Sequence, residues 1–151
     1  MNQVSLSGAD TITINNYLLS ALADGDVVDL RFPNDIAAVK TGKNGNSIYA
    51  FNEMGKQCEV VMRVMRGSAD DKFLLGLLSA QQNNFSGTVL MIGTFIKQIG
   101  DGLGNITSDT YIMSGGVFTK IPEAKSNVEG NTDQSIVIYT MKFSNAPRVI
   151  T

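Results

Sequence analysis

Ser68-Ala69-Asp70-Asp71-Lys72-Phe73-Leu74-Leu75-Gly76-Leu77-Leu78-Ser79-Ala80-Gln81-Gln82 is the one stretch of this sequence that reads as a long helix. Ser68 is a good N-cap. Its hydroxyl can accept a bond from a first-turn N–H, Asp71 stands three residues later, and Asp70 and Asp71 suit the positive end of the helix dipole. Phe73, Leu74, Leu77 and Leu78 have the spacing that gathers apolar side chains on one face. The pattern predicts a helix over about 68–83, fading through Gln81-Gln82-Asn83-Asn84 before Phe85-Ser86-Gly87. One apolar face needs a cover, and nearly everything else reads as strand and turn. The expected fold class is therefore mainly β, a two-sheet β-sandwich or partial barrel with one flanking α-helix.

Before the helix, Glu59 to Arg66 reads as a strand with two largely apolar faces, which predicts cover on both sides by core, helix or a neighbouring subunit. Further upstream, Thr11 to Ile14 alternates and stops at Asn15-Asn16, with Tyr17 to Leu19 as a short return. Asp24-Gly25 introduces a strand from Asp26 to Phe32, Pro33-Asn34-Asp35 breaks it, and Ile36 to Lys40 is the next strand. Asn44-Gly45 is a hairpin signal, but Ile48 to Gly55 shows no clear pattern, so 42–56 reads as an extended loop, bracketed by Lys40, Lys43 and Lys56.

After the helix, Gly87 to Ile99 is long for a strand unless Gly93 bends it. Gly100 to Asn105 turns the chain, and Ile106 to Ile121 returns with its own interruption at Gly115-Gly116, giving a long, bent hairpin. Glu123 to Gln134 is polar and loop-like. In the closing strand, Ser135 to Phe143, Val137, Tyr139, Met141 and Phe143 share one face.

The 151 residues are of single-domain size, so one domain over 1–151 is expected. Charged residues make up only 17%, against roughly 25% in ordinary soluble domains. A net charge of −2 provides no basic footprint for gripping nucleic acid. Cys58 is the one cysteine and reads as a small buried hydrophobe. The N-terminus lacks the pattern of a signal peptide and no apolar run is long enough for a membrane helix, which predicts a chain made and kept in the cytosol, with no membrane insertion.

Histidine is absent, which removes the commonest general base and metal ligand. The carboxylate pairs Asp70-Asp71, Asp24/Asp26 and Glu53/Glu59 are the remaining acid–base candidates, and each has a simpler explanation as a helix start, a turn or an exposed edge. Gly100-Asp101-Gly102-Leu103-Gly104-Asn105 lacks the Lys-Ser/Thr of a phosphate loop and reads as a hairpin turn. No catalytic residue, cofactor or metal site is expected. Low charge, two-sided apolar strands and a projecting segment instead predict self-association.

The order of elements resembles that of tail tube proteins of contractile-tailed bacteriophages. The resemblance is carried by Lys40-Thr41-Gly42-Lys43-Asn44-Gly45-Asn46, the capped helix, the stretch from Phe85 through Ile121, and the closing strand ending Tyr139-Thr140-Met141-Lys142-Phe143-Ser144-Asn145-Ala146-Pro147-Arg148-Val149-Ile150. It implies hexameric rings stacked into a hollow tube, with sheath, baseplate and tail-terminator proteins as partners. Genomic DNA would pass through the lumen without sequence-specific binding, in a virion assembled in the host cytoplasm. Related bacteriocin and secretion-system tubes share the fold. In that family the long loop reaches a neighbouring subunit or ring, which makes Lys43, Asn44, Asn46, Tyr49, Phe51 and Met54 contact candidates. Terminal segments add Arg148. Lys97, Lys120 and Lys142 lie on strands that could reach the lumen.

Two other classes compete. A monomeric β-sandwich could hold a sugar or apolar ligand on Tyr49, Phe51, Tyr111 and Tyr139. A carboxylate enzyme is the more distant alternative.

Overall fold

The computed structural model describes residues 5–20, 27–124 and 135–151. The expected turn at Asp24-Gly25, the residue Asp26 and most of the polar segment before the closing strand lie outside the described residues. The chain forms β1 (Leu6–Ile14), β2 (Tyr17–Leu18), β3 (Val28–Arg31), β4 (Ala37–Thr41), β5 (Ser47–Phe51), β6 (Cys58–Met65), α1 (Ala69–Asn83), β7 (Met91–Gly100), β8 (Ile106–Ala124), β9 (Ile136–Asn145) and β10 (Arg148–Ile150). Short 3₁₀ turns precede β6 and follow α1. The fold is mainly β with one helix, as the sequence predicts.

The layers of the expected sandwich or partial barrel are joined through one continuous path of strands. One sheet of eight strands runs β2-β1-β7-β8-β9-β6-β3, with β10 added on β8. The 19-residue β8 is its spine. Residues 106–116 of β8 pair with β7, while 114–124 pair with β9. Register shifts fall at Phe118/Lys120 and Lys120/Glu123, where extra residues bend a strand and increase its twist. Gly116 lies at the change of partner, and a Cβ there would stand 2.4 Å from the Phe143 ring. The glycine pair thus permits the close packing at which one strand serves two layers.

Both halves of the sheet supply one core. Ile12, Ile14, Met91 and Met113 come from the β1–β7–β8 half. Val60, Met62, Val64, Val137, Tyr139, Met141 and Phe143 come from the other, so the predicted inner face of the closing strand is correct. On β6 only the face of Cys58, Val60, Met62 and Val64 is buried; Glu59, Val61 and Arg63 on the reverse are half-buried. Within the chain, the core covers one side of this strand, and the reverse side is the one left for a neighbouring subunit in the expectation.

Helix α1 starts as its sequence dictates. The Asp71 N–H donates to Ser68 Oγ at 3.2 Å. Asp71 reaches back one residue further than in the reciprocal cap, accepting the Gly67 N–H at 2.8 Å, and it also accepts the Tyr139 hydroxyl at 2.6 Å. The buried stripe is Asp70, Leu74, Leu78 and Gln81. Leu74 and Leu78 match the expected apolar face, whereas Phe73 and Leu77 lie at its margin, Phe73 stacked on Tyr17 with ring centroids 4.2 Å apart. Polar side chains close both ends of the stripe. Asp70 accepts the Ser20 N–H at 2.7 Å; Gln81 donates to the Phe118 carbonyl at 2.8 Å and accepts the Phe118 N–H at 2.9 Å. These bonds tie the helix to the segment after β2 and to β8, so both halves of the sheet hold it.

Candidate assembly surfaces

The segment expected as an extended loop at 42–56 contains a strand and a helical turn. Among the described residues, strands β4 and β5 pair only with each other, in the register Ala37↔Phe51, Val39↔Tyr49 and Thr41↔Ser47. Every residue of both strands is exposed. That explains the missing pattern, because a ribbon wet on both faces has no reason to alternate apolar and polar residues. Its turn is a three-residue type. The Gly45 N–H donates to the Gly42 carbonyl at 3.0 Å, and Gly45 then adopts φ 81°, which places Lys43 and Asn44 at the apex. Asn46 closes the turn by accepting the Gly42 N–H at 2.7 Å.

The base of this hairpin is held firmly. The Asn52 N–H donates to the Ile36 carbonyl at 2.9 Å, its Nδ2 to the Asp35 carbonyl at 2.7 Å, and its Oδ1 accepts the Met54 N–H at 3.1 Å. Gly55 packs on the same backbone so closely that a Cβ would lie 2.6 Å from the Asp35 oxygen. Val39, Tyr49 and Phe51 share one face of the projection, Tyr49 at 74% and Phe51 at 77% exposure. Met54 stands exposed beside the base, as does Ile36, a residue that sequence reasoning left in an ordinary strand. A two-stranded ribbon is marginal alone in water, and this one carries an exposed apolar face.

The outer faces of the large sheet form two further surfaces. On the β1–β7–β8–β10 half, successive outward rows are Thr13–Thr94–Ile112 and Thr11–Ile96–Thr110–Val149. These rows carry no charged side chain, and Ile112 and Val149 are exposed. On the other half the outward rows are Arg31–Glu59–Lys142 and Asp29–Val61–Thr140–Lys120, with Arg63 beside Ile138. Arg31, Glu59, Val61, Lys120, Ile121, Ile138 and Thr140 line a shallow depression on this charged face.

Arg148, a contact candidate by position, is engaged within the fold. On β10 it grips Asp109 with two bonds of 2.8 Å and lies 5.8 Å from the Tyr111 ring centroid. The guanidinium holds the Asp109 carboxyl below its ordinary range. Lys97, a lumen candidate, is bridged to Asp10 at 2.9 Å in a row that faces inward, one step beyond Ile12 and Phe95.

The residues weighed for chemistry are spread through the structure. Asp70 and Asp71 hold the helix start. Glu53 lies in the 3₁₀ turn and Glu59 on the charged sheet face; Asp24 and Asp26 are outside the described residues. Among the proposed stacking platforms, Tyr139 is buried in the core, Tyr111 is half-buried against Phe95, and Tyr49 and Phe51 stand on the hairpin, so they form no common pocket. Burial pushes the Cys58 thiol up to about 11, which makes it an inert core residue. Among the described residues no group of three or more His, Cys, Asp or Glu side chains could hold a metal ion, and no helix is long and apolar enough to cross a membrane.

No protein-family model and no curated protein matches the chain. Among solved structures, it is similar to a chain of an extracellular contractile injection system, the PVC sheath–tube complex in its extended state. The TM-score is 0.58 at 11% identity, over 94% of this chain and 87% of that one. The shared property is the fold.

Proposed function

We propose that this chain is the tube subunit of a contractile injection apparatus, a structural protein without catalysis. The observation that carries the reading is the projecting hairpin Ala37–Phe51, fully exposed and apolar on one face, attached to a sheet whose fold matches a chain of a sheath–tube complex. Copies would join as hexameric rings and stack into a hollow tube, the hairpin of one copy reaching the next through Tyr49, Phe51 and Met54, with Lys43, Asn44 and Asn46 at its tip. Among the described residues β2 and β3 are the end strands of the sheet, and such edges support lateral joining because they are templates for further strands. Arg148, engaged with Asp109, braces the C-terminal strand and serves assembly through that bracing. The bacteriophage form of the machine is the reading carried over from the sequence resemblance: a tail tube within a virion, with sheath, baseplate and terminator proteins as partners and genomic DNA as the passenger. A bacteriocin-like or secretion-type tube has the same subunit architecture.

The test is sedimentation of the purified protein beside a variant lacking residues 43–55. The whole chain sediments as rings or larger assemblies, and the shortened chain stays folded and soluble but does not stack. Filaments that grow normally without these residues would remove the hairpin from the interface.

A further inference from the structure

We propose that the charged outer face of β3, β6, β9 and the second half of β8 lines the channel, and that the uncharged outer face of β1, β7, the first half of β8 and β10 looks away from it. This rests on the tube reading above. A channel is a water-filled bore, so the face suited to line it is the one that remains hydrated while nothing packs on it. The Arg31–Glu59–Lys142 row and its neighbours satisfy that condition: they interleave ionised groups across three strands, and their depression remains open. The opposite face presents threonines and isoleucines with no charge among its described outward rows, whereas on the charged face the apolar Val61, Ile121 and Ile138 are interleaved with ionised groups that hold water.

A local charge follows that the whole chain hides. Arg31, Arg63, Lys120 and Lys142 oppose Asp29, Glu59 and Glu123, the last in register with Ile138, so four cations minus three anions leave +1 on this face, while the full chain carries −2. The channel wall would therefore be weakly cationic. The cations are interspersed with acids, and Arg31 is bridged to Asp29 at 3.3 Å, which limits their hold on an anionic passenger. Such attraction is screened by salt.

Single-cysteine labelling tests the assignment directly, since the buried Cys58 leaves a silent background. Tubes formed from Lys142→Cys and from Ile112→Cys are each reacted with a maleimide-linked gold cluster and viewed end-on by electron microscopy. Gold from Lys142→Cys is expected in the central channel, and gold from Ile112→Cys outside the wall. Arg63→Cys supplies the same reading if Lys142→Cys does not assemble. The reversed pattern would overturn the face assignment while leaving the tube intact. Wild-type protein that forms no tubes would overturn the tube reading, and this inference with it.

Discussion

The two halves of the large sheet have inner faces that are alike and outer faces that are not. Inside, both offer apolar side chains to a single core under α1, mainly Ile and Met from one half and Val, Met and aromatic residues from the other. Outside, the β1–β7–β8–β10 half shows threonine and isoleucine, while the β3–β6–β9–β8 half shows Arg31, Glu59, Arg63, Lys120 and Lys142. Packing inside the chain sets the first pair of faces. Core packing does not set the second pair. The contrast can be attacked from the core outward.

The largest effect belongs to the shared core. Leu74→Ala or Leu78→Ala removes a buried side chain of α1 from that core, and each should cost about 2–5 kcal/mol in denaturant unfolding. Leu77→Ala, at the margin, should cost less. A single cooperative transition is expected in every case; two separate transitions would show that the halves do not share one core.

Next comes the bond from Tyr139 to the helix start. Tyr139→Phe keeps the ring in the core and loses the 2.6 Å bond to the Asp71 carboxylate, at a cost of about 1.5–3 kcal/mol. No change in melting midpoint would show that Ser68 alone fixes the helix end.

The outer faces themselves should be nearly silent in the isolated subunit. Ile112→Lys and Lys142→Ile should each alter stability by no more than about 0.5 kcal/mol, because neither side chain packs in the core. A loss of several times that at Ile112 would mean that the uncharged face is covered within the fold, which would dissolve the contrast.

The smallest effect is a pH dependence at the rim. Arg148 depresses the Asp109 carboxyl, so this pair's contribution is complete above the ordinary carboxylate value of about 3.9 and drains away as pH falls through the depressed one. Melting curves of wild type and Arg148→Ala should therefore differ slightly at neutral pH and converge in acid. Curves separated equally at all pH values would show that the Arg148 contribution comes from its contact with Tyr111 instead.

Much of this architecture is legible in the sequence where one face of an element meets the core. The capped helix, the inward residues of β9 and the bend at Gly115-Gly116 follow from periodicity and glycine placement. Burial of polar groups is less legible: Asp70 and Gln81 close the helix stripe through bonds to backbone partners 50 and 37 residues away, which apolar spacing cannot register. The β4–β5 ribbon is obscured for the opposite reason, since both its faces are wet. That one strand serves two layers depends on the register shifts of β8, and those are properties of pairing rather than of composition. The contact candidates at the hairpin could be located by their Asn-Gly turn, but the engagement of Arg148 with Asp109 requires β10 to be paired on β8.

Negative-stain electron microscopy of the full-length protein at rising concentration tests the central claim most directly. Hollow rings that stack into tubes of uniform diameter are expected. A monodisperse monomer at every concentration would contradict it.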